Sequence, residues 1–232
     1  MNTINIETSS FASFPSEIAS LLKTLDANGF FDDSMLVGSW VMVVYKAALG
    51  IDYDLRTGDI DFAVTISRRG HSERADLDKI FTGLGYSPAI MGSGIVKYSG
   101  KGYSIDFIIQ RKGGSETSVV PVIQWNVTAE PLPFLDILLG FPQRANFGEF
   151  SIRVPIPEAY FIHKLIVAPK RPSTTDRDKD FNQCAVIIPH LDKERLITVM
   201  KTQKFSAQYK KYSSPPVIGS DFRHTCLVSS YL

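Results

Sequence analysis

The sequence predicts an α+β fold: a mixed β-sheet with packed helices, followed by a C-terminal helical region. Three observations carry this expectation. Up to residue 110, helix-like and strand-like periodicities alternate in the order helix, strand, helix, strand, helix, strand, strand. That order builds a sheet with helices laid on it. The best-defined strand puts Ile60, Phe62, Val64 and Ile66 on one face, suited to a core, and Asp59, Asp61, Ala63 and Thr65 on the other. Beyond Pro155, three amphipathic helical segments follow one another. A boundary there divides the chain into a sheet-bearing region, residues 1–154, and a helical region, residues 155–232.

Each element has its own signal. Ile18, Leu21, Leu22 and Leu25 recur at helical spacing within Ser16–Asn28, and Gly29 offers a stop. The apolar run in SMLVGSW reads as a short strand ending at Gly38. A helix follows from Ser39 to Leu49, with Gly50 at its end. The loop Ile51–Gly58 leads to the aspartate-bearing strand. His71–Leu84 reads as a helix capped by Ser72 and terminated by Gly85. GIVKYSGKGYSIDFIIQ reads as a hairpin, with strands Gly94–Tyr98 and Tyr103–Gln110 around a turn at Ser99–Gly102. Arg111–Ser118 is a glycine-rich polar loop. Val119–Val127 and Phe147–Val154 read as strands, with a short helix near Leu135–Leu139. PEAYFIHKLIVAPK, with Pro157 in its first turn, then STTDRDKDFNQCAVIIPHL and DKERLITVMKTQKF supply the C-terminal helices.

Composition narrows the function classes. The chain has 232 residues, 44% hydrophobic and 21% charged, which supports a packed core and argues against global disorder. A net charge of +1 steers the whole molecule neither to nucleic acid nor to an anionic membrane. Cys184 and Cys226 form neither a zinc spacing nor a disulfide framework. The start MNTINIETSSF lacks the basic and apolar parts of a signal peptide. The longest apolar run, Leu36–Ile51, contains Lys46 and is short for a bilayer span. A cytoplasmic protein with no membrane partner is expected.

The acids set the chemical question. Asp59 and Asp61 project side by side from one strand, about 6–7 Å apart at Cα. Like charges so close repel, and desolvating either is costly. No lysine or arginine alternates with them on the strand. A divalent cation would fit between them; so would a solvated acidic edge with Arg56 or Arg68 as loose partner. Asp106 is a third acid in an apolar strand, flanked by Ile105 and Phe107. If its strand lies beside Asp59–Ile66, three carboxylates meet. Gly38-Ser39 stands at a strand-to-helix turn, where free backbone N–H groups suit phosphate oxygens, though such a turn is also an ordinary structural feature. Three acids with a phosphate cradle are what two-metal phosphoryl or nucleotidyl transfer needs.

With these residues in view, the sequence resembles the nucleotidyltransferase superfamily of DNA polymerase β-like enzymes, whose pattern is Gly-Ser, then Asp-x-Asp on the next strand, then a later third acid. VGSWVMVVYKAA, TGDIDFAV, WNVTAEPLPFLDILL, RVPIPEAYFIHKLIVAPKRP and RDKDFNQCAVII are similar to a bacterial group of nucleotidyltransferases within it, related to transferase toxins of abortive-infection toxin–antitoxin pairs. The likeness spans about Met35–Leu191. It implies that residues 1–154 are the catalytic domain and that the C-terminal helices complete the nucleotide cleft. It implies that Gly38 and Ser39 hold the triphosphate of an NTP and that Lys164 contacts it. Asp59, Asp61 and Asp106 would bind two magnesium or manganese ions, with Asp106 helping to deprotonate an acceptor hydroxyl. The acceptor would be an RNA 3′ end, a protein or a small molecule, and an antitoxin protein is an implied partner. One departure is the spacing: nineteen residues separate Ser39 from Asp59, more than the superfamily's usual interval.

Other candidates carry weaker signals. His163 adjoins Lys164, and helix neighbours point about 100° apart, so Lys164 is favoured as the ligand contact and His163 as a packing or surface residue. Lys179 and Asp180 form either a salt-bridged face or a nucleotide-binding role beside Lys164. Lys170 and Arg171 could reach an acceptor's phosphate. Lys201, Lys204, Lys210 and Lys211, interleaved with Phe205, Tyr209 and Tyr212, suit single-stranded RNA or form a solvated face. Trp40 and Trp125 read as core or cleft-wall residues. Two rivals stand beside the enzyme: a non-catalytic nucleotide- or partner-binding module on the same fold, which should lose one of the acids, and a metal-dependent phosphohydrolase, which should cluster histidines with them. All three acids are present, and His71, His163, His190 and His224 are scattered.

Overall fold

Alternating apolar faces fold onto a common layer in this protein, and where one of them stops being apolar the site begins. A computed structural model describes residues 2–5, 14–66, 74–113 and 118–202. In chain order the first elements are β1 (Asn2–Asn5), α1 (Ser16–Ala27), β2 (Met35–Val37), α2 (Val41–Leu49), β3 (Asp59–Val64), α3 (Leu77–Gly83), β4 (Ser87–Ile90), β5 (Val96–Gly100) and β6 (Tyr103–Gln110). Then come β7 (Val120–Val122), β8 (Val127–Leu132), α4 (Leu135–Leu139), β9 (Pro142–Asn146), β10 (Ser151–Pro155), α5 (Pro157–Val167), α6 (Thr174–Ile187) and α7 (Lys193–Thr202). The fold is α+β, with a mixed sheet and packed helices, as expected.

The main sheet runs β2-β3-β6-β5-β4, with β8 pairing the far end of β6 and β7 pairing β8. β3 and β6 are parallel, while β2 is antiparallel to β3 and β5 to β6. β1, β9 and β10 form a separate small sheet. Ile60, Phe62 and Val64 from β3 and Ile105, Phe107 and Ile109 from β6 are buried in one core with Leu21, Leu22 and Leu25 of α1. Burying each such side chain contributes roughly 1.5–3 kcal/mol. Tyr160 and Ile187 reach into this same core, and a second cluster, including Ile156, Phe161, Ile162, Leu196 and Val199, joins the C-terminal helices to one another.

Several segments differ from expectation for local reasons. The predicted helix His71–Leu84 is observed from Leu77, because Asp76 caps it by accepting from the Lys79 backbone N–H; Ser72 lies outside the described residues. The run Val119–Val127 divides at Asn126, whose left-handed φ of 50° turns the chain back and makes β7 and β8 a hairpin. Phe147 and Gly148 form a turn rather than strand, with Asn146 Oδ1 accepting from Gly148 N–H, so β10 begins at Ser151 and pairs with the unforeseen β9. Strand β4 was also unforeseen: it is an exposed edge strand carrying Pro88, a position where proline is tolerated. Among the described residues, no helix is long and apolar enough to cross a membrane.

Candidate active site

The register of the parallel pair β3 and β6 puts Asp61 opposite Asp106 and Asp59 opposite Ser104. Residues opposite one another in a sheet share a face, so the three acids stand on one side. That face is divided along its length. Ala63 and Ile108 at one end pack with Met35, Val37, Leu135 and Leu138, under α4. Val37, opposite Asp61, is the last apolar residue of that cluster, and the acids stand where it ends. Two acids inside an apolar strand are tolerated because the helix covers only part of the face. Asp59 is exposed and borders an open cleft of about 370 Å³ that Gly58, Ser104 and the β5–β6 turn also line.

Gly38 is fixed by Asp61. Val37 lies opposite Asp61 in the β2–β3 pair, and the chain then turns over the carboxylate. A Cβ on Gly38 would lie 2.9 Å from Asp61 Cγ, and the backbone φ of 66° is left-handed. Both facts demand glycine. The Gly38→Ala variant is expected to lose about 1–2 kcal/mol from the backbone alone, and to displace the Asp61 carboxylate as well. Thermal denaturation and a turnover assay check this; wild-type values in both would refute it. Gly38–Trp40 form a single 3₁₀ turn before α2. Ser39 is buried there and accepts a hydrogen bond from Gln183 Nε2 at 3.0 Å.

The charges around the acids explain their state. Burial, with the Asp106 carboxylate beside it, pushes the Asp61 carboxyl up to about 6, against the opposing pull of Lys164. A cation comes from the strand on the other side of β6. Lys97 on β5 reaches Asp106 Oδ2 at 2.7 Å. Burial works against the ammonium, but the hydrogen bond and charge of Asp106, with Asp59 and Glu130, carry its pKa above the ordinary lysine value. Lys97 was not singled out in the sequence; a lysine two residues from a predicted hairpin turn was the available signal, since hairpin register sets which residues face each other.

Lys164 meets an anion of the protein itself. It is buried and ion-paired to Asp180, whose other carboxylate oxygen accepts from Arg171 Nε at 2.9 Å. Burial lowers the Lys164 pKa while Asp180 opposes that shift, and Asp61 is near enough to act on it as well. Lys164 and Arg171 therefore form the positive side of the site, with the fully buried Asp180 between them. Lys179 instead pairs with Asp176, one turn back on α6. Among the described residues the buried His163 Nδ1 has no hydrogen-bond partner, and burial holds its pKa down to about 3, so the imidazole is neutral. The Lys170 ammonium sits 3.9 Å from the Phe134 ring centroid. Trp40 and Trp125 are core residues. Lys201 is exposed on α7; Lys204, Phe205, Tyr209, Lys210, Lys211 and Tyr212 lie outside the described residues.

Among the described residues no three His, Cys, Asp or Glu side chains close into a metal-ligand group. The donor set nevertheless suits a hard divalent cation, which prefers carboxylate oxygens. Among the described residues the buried Asp106 Oδ1 has no hydrogen-bond partner, and Asp61 is destabilised as an anion by burial first and then by its acidic neighbours.

Acids gathered on adjacent strands beside a glycine-serine turn, with the buried Lys164 and the more exposed Arg171 acting on them, form the layout of a nucleotidyl-transfer enzyme. The chain belongs to a nucleotidyltransferase family: a family profile described as "Nucleotidyltransferase" matches residues 16–207. No curated protein is significantly similar in sequence. Among solved structures, an antigenic nucleotidyltransferase-like protein from Paracoccidioides brasiliensis is similar at 15% identity and TM-score 0.43, over 80% of this chain and 86% of that one. The solution structure of the antibiotic-resistance factor ANT(2'')-Ia is similar at 14% identity and TM-score 0.43, over 89% of this chain and 94% of that one.

Proposed function

We propose that this nucleotidyltransferase moves a nucleoside monophosphate from an NTP to an acceptor hydroxyl and releases pyrophosphate, and that the acid face of β3 and β6 is where it does so. The register that sets Asp61 against Asp106, with Gly38 pressed on Asp61, carries the assignment. Gly38 and Ser39 would receive the triphosphate. Lys164 and Arg171 would balance its charge from α5 and the segment after it, so that residues 155–232 close the cleft of the catalytic region 1–154. Lys179, tied to Asp176, is at most a rim contact. The unpartnered Asp106 Oδ1 would take the proton of the acceptor hydroxyl as its oxygen bonds to the α-phosphorus and the bond to pyrophosphate breaks. Asp59, Asp61 and Asp106 would hold magnesium or manganese, two ions in the full site, which would neutralise charge on the attacking and leaving oxygens.

Incubation with each α-labelled NTP, magnesium or manganese, and total cellular RNA, protein or small-molecule extract tests the proposal. Label in RNA, in protein or in a small molecule names the acceptor; no label with any NTP refutes it. A toxin role is supported only through the bacterial group that the sequence resembles, which is related to transferase toxins. Growth arrest on expression, relieved by a co-expressed antitoxin, is its test.

Lys97 adds a metal-binding prediction. Its ammonium is paired to Asp106 Oδ2 and so opposes a cation at the same carboxylate. In Lys97→Met, Mn²⁺ affinity without nucleotide is expected to rise on the order of tenfold, as a competing positive charge is removed. An electron paramagnetic resonance titration reads this; unchanged or weaker binding would show that lysine and metal do not compete.

A further inference from the structure

We propose that Gln183 is a positioning residue that turns the Ser39 hydroxyl into a hydrogen-bond donor aimed at the nucleotide; this rests on the reading of Gly38-Ser39 as the phosphate-binding turn. Gln183 is completely buried on α6. Its Oε1 accepts from the Tyr160 hydroxyl at 2.8 Å. Its Nε2 donates to Ser39 Oγ at 3.0 Å and to the Tyr53 hydroxyl oxygen at 2.9 Å. Both amide protons and the amide oxygen are thereby used, which holds the group in one orientation. The Tyr160 hydroxyl also lies 3.1 Å from the Gly38 carbonyl oxygen, so its single proton is shared between that carbonyl and the Gln183 amide oxygen.

The consequence lies in the proton of Ser39. A hydroxyl carries one proton and can accept as well. With its oxygen accepting from Gln183, Ser39 keeps that proton for another partner, and among the described residues none takes it. An anionic phosphate oxygen is a strong acceptor for it, and a hydrogen bond to a charged group is stronger than a neutral one. Tyr53 extends the argument. It belongs to the connection between α2 and β3, the stretch that lengthens the Ser39-to-Asp59 interval. The second amide proton fastens that longer connection to the C-terminal helices beside the turn. One side chain thus couples the turn, the lengthened connection, α5 and α6.

A double-mutant cycle separates this role from packing. Titration calorimetry with the magnesium complexes of ATP, GTP, CTP and UTP is run on wild type, Gln183→Met, Ser39→Ala and the double variant. Gln183→Met is expected to weaken the tightest-bound NTP by about tenfold, and to add little further loss once Ser39 is alanine. Gln183→Glu keeps the shape but only accepts, so it captures the Ser39 proton and is expected to lose at least as much affinity. Gln183→Leu, apolar and of similar bulk, serves as the second variant if Gln183→Met melts early. Wild-type affinity in Gln183→Glu, or an equal loss from Gln183→Met with and without the Ser39 hydroxyl, overturns the inference alone. A wild-type protein that binds none of the four nucleotides overturns the nucleotide site and the inference with it.

Discussion

Asp61→Asn is expected to reduce nucleotidyl transfer by on the order of a thousandfold, while the metal-free protein melts no lower than wild type. The rate loss follows from removing a carboxylate at the centre of the acid face, where charge stabilisation is worth several kcal/mol and each 1.36 kcal/mol is tenfold. The stability result follows from the charge environment. In the folded protein, burial and then Asp106 raise the Asp61 carboxyl from 3.8 to about 6. The folded state therefore binds this proton more tightly than the unfolded chain does. The resulting stabilisation is fully present below about pH 4 and is lost as pH rises through about 6. Asparagine does not titrate and has no such loss. Melting temperatures in a chelator should show the variant gaining on wild type between pH 4 and 6, then holding a constant difference. Adding magnesium and NTP should raise the melting temperature of wild type alone. Normal turnover in the variant, or a gap that closes with rising pH, would rule out this role for Asp61.

The acids were readable in the sequence because charge inside an apolar strand is costly and needs a reason. So were α1, β3 and β6, whose apolar residues keep strict helical or alternating spacing. What stayed hidden depends on register and on distance along the chain. Lys97 meets Asp106 because β5 and β6 pair in one particular register, a choice that propensity does not make. Gln183 bonds Ser39 across 144 positions, and a glutamine in a polar helix such as α6 gives no sign that it is buried. Gly38 was read as a place for phosphate to approach; that Asp61 already presses on it depends on the β2–β3 pairing. β4 and β9 escaped notice because short strands at an edge or rich in polar residues lack the alternation that marks a half-buried strand.

Lys164 is where the structure changes an expected result most. From sequence alone, its ammonium would either reach water or wait for a phosphate, and truncation would leave the free protein unharmed. Instead, its charge is buried against Asp180, which is itself fully buried, while Arg171, partly exposed, holds the second oxygen. Removing one partner of a buried pair costs about 3–5 kcal/mol because the other charge is left uncompensated. Arg171 keeps Asp180 partly compensated, so Lys164→Ala is expected at the low end, about 3 kcal/mol, or roughly 6–12 °C in melting temperature for a chain of this size. The same variant should weaken NTP binding, since Lys164 is a positive charge acting on Asp61. Stability and binding can be separated. In Lys164→Met/Asp180→Leu both charges are replaced by apolar groups of similar bulk, which removes the unpaired carboxylate, so most of the lost stability should return. The lost affinity should not, because no ammonium faces the nucleotide. Calorimetric melting and NTP titration of the three proteins decide the matter. A stable Lys164→Ala would mean that the ion pair contributes nothing to the fold. Full NTP affinity in the double variant would make Lys164 purely structural and leave Arg171 as the cation that meets the phosphates.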